Sequence, residues 1–243
     1  MIEIVEVIER SVQGKTRPFI CRGSDDAIYF VKGRDAGRRS LICEWICGCL
    51  ARELALPIPD FQIAHVPAQL LNGPERLELS DLGSGPVFAS KQRRANELTW
   101  ESAQSVPSNT KQDVLLFDWW IKNGDRYFTE RGGNPNLFWA PDQQELIVID
   151  HNVALDDTLH PDEFLAHHIF RDEAETVFGD MVTRTEYTQT LLAAMANWDT
   201  IVGAIPDEWR FLDADFLDPV PFDFAGALAL LMAFESEAFW TIR

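Results

Sequence analysis

Long apolar runs are missing from this 243-residue chain: the longest, Phe224 to Phe234, covers 11 residues and is too short to cross a bilayer. The opening MIEIVEVIER has neither a basic stretch nor an apolar segment behind it, so no secretory leader is visible and a cytoplasmic location is expected. Cysteine is scarce. Of Cys21, Cys43, Cys47 and Cys49, the last three are spaced to suit one helix, where thiols on adjacent turns do not form an ordinary bridge, so reduced thiols are expected. Positive charge is in deficit: 21 Lys and Arg stand against 39 Asp and Glu, for a net −18. Residues 1–100 are balanced at 13 of each sign, so the excess belongs to residues 101–243. Such a surface repels phosphate backbones and anionic bilayers, which argues against nucleic acid and membrane partners. No internal repeat or low-complexity tract is present. No H-E-x-x-H or paired C-x-x-C occurs either, so His151, His160, His167 and His168 give a zinc hydrolase only weak support.

What is present is the balance of a globular protein, 46% hydrophobic and 25% charged. Residues 2–8 alternate with the strand period, and segments 17–22 and 27–32 flank the turn-forming GSDD at 23–26, predicting a small antiparallel sheet. GRDAGRRS follows, then LICEWICGCLARELAL at helical spacing with Ser40 as its expected N-cap. Pro57 and Pro59 end that helix, and segments 62–66, 76–80 and 86–90 read as further strands. Beyond Ala95 the pattern turns helical, over 110–122, 161–180, 184–202 and 222–240. Between the first two, the apolar runs 137–139 and 146–149 around APDQQ predict an inserted hairpin.

Charge-handling groups gather in 123–152. Asp125 directly follows the apolar VLLFDWWIKN, Asn134 and Asn136 sit in a Gly/Pro-rich loop, and Asp150 ends the strand-like LIVI. Two carboxylates and a carboxamide oxygen form a hard-oxygen set suited to Mg²⁺, although capping of a helix and a turn accounts for the same residues. Lys32 ends the strand AIYFVK. Either it snorkels at a sheet edge, or Glu44, one turn into the next helix, holds its ammonium and the pair aims a charge at phosphates. Between them Gly33, Arg34, Gly37, Arg38 and Arg39 form a basic island before a helix N-terminus, where free N–H groups favour anions. Trp119 and Trp120 beside Phe117 read as core.

Strand lysine, helix glutamate, loop aspartate, asparagine and post-strand aspartate follow one another in the order used by kinase-like phosphotransferases. YFVKG, the helix with Glu44, LPIP, FDWWIKNGDR, NPNLFW and VIDHN resemble the small HipA-like kinases, over residues from about 15 to 155. The resemblance implies a two-lobed, protein-kinase-like α+β fold, with a β-rich nucleotide-binding lobe over 1–90 and a helical lobe over 91–243. It implies an ATP- and Mg²⁺-dependent kinase, of the serine/threonine type, acting on a protein or small-molecule hydroxyl. The alternative is a catalytically inactive kinase-like nucleotide-binding scaffold.

By the same resemblance, Lys32 contacts the α/β-phosphates and Glu44 orients it. Gly33, Arg38 and Arg39 belong to the nucleotide-binding loop, Asp125 receives or positions the acceptor proton, and Asn136 and Asp150 hold metal. Asn134 competes with Asn136 for that role. Arg126 is left with two, steadying the loop or the transferring phosphoryl group. The chain departs from the pattern in having no G-x-G-x-x-G before Lys32, ten residues between Asp125 and Asn136 where most protein kinases have four, and His-Asn after Asp150 in place of Phe-Gly.

Overall fold

The computed structural model describes residues 1–12, 17–72, 77–129 and 132–242. It is a mixed α+β structure whose chain falls into two compact units. The first contains residues 1–45, 59–93 and 203–222; the second contains 46–58, 94–202 and 223–243.

The first unit is built on a five-stranded antiparallel sheet, β1 (Ile4–Arg10), β2 (Phe19–Gly23), β3 (Ile28–Lys32), β4 (Phe61–Val66) and β5 (Gly85–Lys91), in the order β1-β2-β3-β5-β4. A backbone bond from His65 N–H to the Ile2 carbonyl draws the two edges together. The two-residue period sorts side chains cleanly between the faces. Phe19, Cys21, Tyr29, Val31, Ala64, Val66, Val87 and Ala89 form one buried layer, closed by Leu79 and Leu82. The opposite face carries Lys32, its cross-strand neighbour Phe88, and Phe61, which stacks on Phe88 at 5.3 Å and meets Trp45 edge-on. Later in the chain Trp209, fully buried, donates its indole N–H to the Pro86 carbonyl of β5 at 2.9 Å.

Helix α1 (Arg38–Glu53) is buried along almost its whole length. It begins two residues before the expected cap: Leu41 N–H bonds the Gly37 carbonyl, and Gly37 has φ 81°, a backbone that glycine alone adopts freely. Ser40 therefore lies inside the first turn and is not the cap. All four cysteines are buried and unbridged, and burial pushes the Cys21 and Cys49 thiols up to about 12, so they behave as small apolar side chains.

The second unit is centred on α3 (Ser108–Trp120), which follows a short α2 (Trp100–Gln104). Val114, Leu115, Leu116, Phe117, Trp119 and Trp120 of α3 are all buried, each contributing about 1.5–3 kcal/mol through removal from water. The two tryptophans also meet their polar needs, with indole N–H groups on the carbonyls of Phe239 (3.0 Å) and Leu231 (2.7 Å). The expected hairpin is present as β9 (Leu137–Ala140) and β10 (Glu145–Val148), with β6 (Asn96–Glu97) beside β9. A second hairpin, β7 (Tyr127–Thr129) with β8 (Gly132–Asn134), was not foreseen.

Four expected elements need correction. Segment 77–80 is a 3₁₀ turn and not a strand, its Leu79 turned into the core beneath the sheet; position 76 lies outside the described residues. The helix expected over 161–180 breaks into α4 (Pro161–His167), a 3₁₀ turn and a π turn, because the His168 ring takes the Phe170 N–H that a continuing helix would use. The stretches 184–202 and 222–240 are likewise interrupted. The first yields α5 (Met181–Met195), capped by Asp180, and the second breaks at Ser236, whose backbone is extended. Among the described residues no helix is long and apolar enough to cross a membrane.

Candidate active site

Within the first unit the alternation that buries Val31 puts Lys32 on the other face, where its ammonium is ion-paired with Glu44 Oε1. The Glu44 side chain is only 3% exposed and that of Lys32 12%, so neither charge is simply solvated. A carboxylate buried on an otherwise apolar helix needs such a partner. The basic loop is anchored from beneath. Arg34 and Asp35 N–H groups bond the Leu82 and Asp81 carbonyls, and Arg10 reaches both Asp35 and Asp81. Gly33 is buried against the same turn, and a Cβ there would stand 2.1 Å from the Leu82 carbonyl oxygen. Its small size thus serves loop packing. Arg38 and Arg39 open α1, half-buried; burial and the neighbouring Arg34 charge lower the Arg38 pKa, opposed by Glu208.

Within the second unit the remaining residues converge on one loop. Helix α3 ends at Trp120, Lys122 just beyond it holds a left-handed backbone at φ 56°, and the chain turns through Asn123 and Gly124 to Asp125. The ten-residue separation from Asn136 is taken up by the β7–β8 hairpin, which runs out and back so that Tyr127 pairs with Asn134. Residues 130–131 lie outside the described residues. Asn134 Nδ2 and Asn136 Nδ2 each approach Asp125 Oδ2 at 3.4 Å, and Asn136 Nδ2 also faces the Asp125 carbonyl at 3.3 Å. Both asparagines are thus brought to the same carboxylate. Asn136 (φ 49°) and Asp150 (φ 62°) hold left-handed backbone conformations, strain of a kind that concentrates at functional sites.

Behind this loop lies a network that sequence reasoning missed. Asp118, fully buried on α3, accepts from Arg126 Nε at 2.5 Å and Asn123 Nδ2 at 2.9 Å, and its Oδ2 lies 3.0 Å from His168 Nε2. Burial alone would raise its pKa; Arg126 and His168 hold it down at about 2. His168 Nδ1 accepts the Phe170 N–H, so the ring proton sits on Nε2 and is donated to Asp118. Burial lowers the His168 pKa against the pull of Asp118, keeping the ring neutral near pH 7. Arg126 is 1% exposed, and its guanidinium donates to the carbonyls of Pro135 (3.0 Å), Asn136 (2.8 Å) and Ile149 (3.3 Å). Of its two expected roles, steadying the loop is the one this burial fits. The available signal was Asp118 itself, one charge inside VLLFDWWI.

The donor chemistry suits a hard divalent cation. Asn136 turns its amide nitrogen to Asp125, which leaves its Oδ1 free of that contact, and the Ile149 N–H bond to the Asn136 carbonyl ties in the segment that carries the Asp150 carboxylate. Asn152 Oδ1, two residues beyond Asp150, is buried without a hydrogen-bond partner. Among the described residues no three His, Cys, Asp or Glu side chains form a metal-binding group, which gives the zinc reading no support. Beside the loop a cavity of about 580 Å³ is lined in part by Lys122, Gly124, Arg126, Thr158 and Glu163.

No curated protein matches the chain. The HipA-like kinase family model matches residues 4–243, nearly the full length, and covers the lysine–glutamate pair and the whole aspartate–asparagine loop just described. The chain belongs to the HipA-like kinase family.

Proposed function

We propose that the protein transfers the γ-phosphoryl group of ATP, with Mg²⁺, to a hydroxyl of a protein or small-molecule acceptor. The observation that carries this reading is the convergence of Asn134 and Asn136 on Asp125, with one guanidinium tying the Asn136 backbone to that of Ile149, next to Asp150. Kinase-like transfer asks for little covalent work from the protein and much alignment and charge neutralisation. In this reading Lys32, oriented by Glu44, neutralises the α/β-phosphates. Asn136 and Asp150 would hold Mg²⁺, which when bound offsets charge on the β- and γ-phosphate oxygens. Asp125 takes the acceptor's proton while an oxygen–phosphorus bond forms to the γ-phosphorus and the bond to the β–γ bridging oxygen breaks, leaving ADP. The cavity flanked by Gly124 and Arg126 is where the acceptor enters.

Thermal unfolding with ATP, with and without Mg²⁺, tests the reading. A ligand at a hundred times its dissociation constant stabilises the native state by about 2.7 kcal/mol. A magnesium-dependent rise in midpoint, lost in Asp150→Asn, together with phosphoryl transfer from γ-labelled ATP, is the expected result. No shift with any nucleotide overturns it and leaves the inactive scaffold.

A further inference from the structure

A buried charged residue that bonds mainly to backbone carbonyls is unusual enough to need a reason, since an arginine taken out of water costs several kcal/mol before its partners are counted. Arg126 is such a residue. Its Nε is committed to Asp118, while its two terminal nitrogens reach the carbonyls of Pro135, Asn136 and Ile149. Those carbonyls come from the two sides of the β9–β10 hairpin, the residues between β8 and β9 and the residue just after β10. One of them belongs to Asn136 and another immediately precedes Asp150. Asn123 completes the arrangement: its side-chain Nδ2 donates to Asp118 Oδ1, while its side-chain Oδ1 accepts from the Asp125 N–H at 3.4 Å. A single buried carboxylate therefore holds Asp125 from the residue two positions before it and from the residue directly after it.

We infer that Asp118 and Arg126 act as a positioning pair, which sets the spacing between the Asn136 and Asp150 segments and thereby the divalent-cation affinity of the site. The inference rests on the phosphotransferase reading above. The guanidinium suits the task because its N–H groups form a rigid planar fork that serves several acceptors at once. A lysine ammonium keeps the charge beside Asp118 but cannot span the same set of carbonyls. His168 supports the pair from the other side: fixed as the Nε2–H tautomer by the Phe170 N–H, it supplies Asp118 with a further donor and no extra charge.

The test is Mn²⁺ binding in the presence of ADP, followed by electron paramagnetic resonance, on wild-type protein and Arg126→Lys, with circular dichroism confirming that each is folded. Residues that orient metal ligands from behind cost about 10–100-fold in metal affinity when altered. Arg126→Lys is expected to bind Mn²⁺ 10–100-fold more weakly, while ADP affinity without metal changes less than twofold. A merely structural role moves the unfolding midpoint and leaves the Mn²⁺ affinity of the folded protein alone. If Arg126→Lys fails to fold, Asp118→Leu/Arg126→Met removes both charges together and is read by the same thresholds. Wild-type binding with variant affinity within twofold of it overturns the positioning role and leaves the phosphotransferase reading standing. Wild-type protein that is folded yet binds no Mn²⁺ with ADP overturns both.

Discussion

Replacing Lys32 by methionine separates a structural cost from a chemical one. The side chains of Lys32 and Glu44 are 12% and 3% exposed, so the pair lies in the regime where removing one partner strands a buried charge. That costs about 3–5 kcal/mol. In a chain of this size each 1 kcal/mol lowers the unfolding midpoint by about 2–4 °C, so Lys32→Met is expected to melt roughly 6–20 °C early. The double variant Lys32→Met/Glu44→Leu removes both charges and places apolar atoms near the aromatic layer of Phe61 and Phe88. Because apolar replacement of a buried pair is often neutral or stabilising, most of the midpoint should return. Calorimetry reads the stability, and transfer from γ-labelled ATP reads the chemistry. The single variant should be unstable and inactive, the double variant stable and inactive. An unchanged midpoint in Lys32→Met refutes the burial argument, and wild-type transfer by a stable double variant removes Lys32 from the reaction.

Other consequences can be checked separately. Gly33→Ala puts a Cβ 2.1 Å from a backbone oxygen that no rotamer change relieves, so it should cost on the order of 1–3 kcal/mol in urea unfolding; a neutral result would show that the Leu82 turn yields freely. Asp150→Asn should abolish the magnesium-dependent thermal shift while leaving the ligand-free midpoint within about 2 °C, since single exposed or half-buried polar changes are usually small. Acid stability should fall in two stages. The folded pKa of His168 lies below its unfolded value near 6.5, so its contribution is present above about pH 6.5 and is lost as pH drops through the folded value. Asp118, held at about 2 in the folded state, contributes above roughly pH 4 and loses that contribution towards pH 2. His168→Gln should flatten the first stage only; an unchanged slope between pH 6.5 and 4 refutes the assignment.

Legibility in the sequence followed the strength of each local signal. Period-two alternation placed β2, β3 and β5 within two residues, and with them the face on which Lys32 lies. The apolar density of α3 and the turn APDQQ did the same for the helix before Asp125 and the hairpin before Asp150. The β7–β8 hairpin was illegible because strands of three residues carry no period, although its glycines marked the place: a Cβ on Gly133 would stand 2.5 Å from the Tyr127 carbonyl oxygen. Long apolar stretches after residue 160 looked continuous because periodicity does not register a side chain, such as His168, that captures a backbone N–H. Asp118 escaped for a related reason. Its burial is decided by Arg126 and His168, eight and fifty residues away, and a local pattern holds no trace of either.

The first unit is assembled from three separate stretches of chain, the last of them, 203–222, bringing Trp209 to the carbonyl of Pro86. During synthesis the sheet strands are complete by residue 93, yet the 109 residues 94–202 must emerge before that tryptophan exists. At roughly 5–20 residues per second the ribosome holds this half-closed sheet waiting for about 5–20 s. Over that interval the nascent lysine–glutamate pair depends on contacts already made, and early-stalled chains of this protein would be natural clients for chaperones.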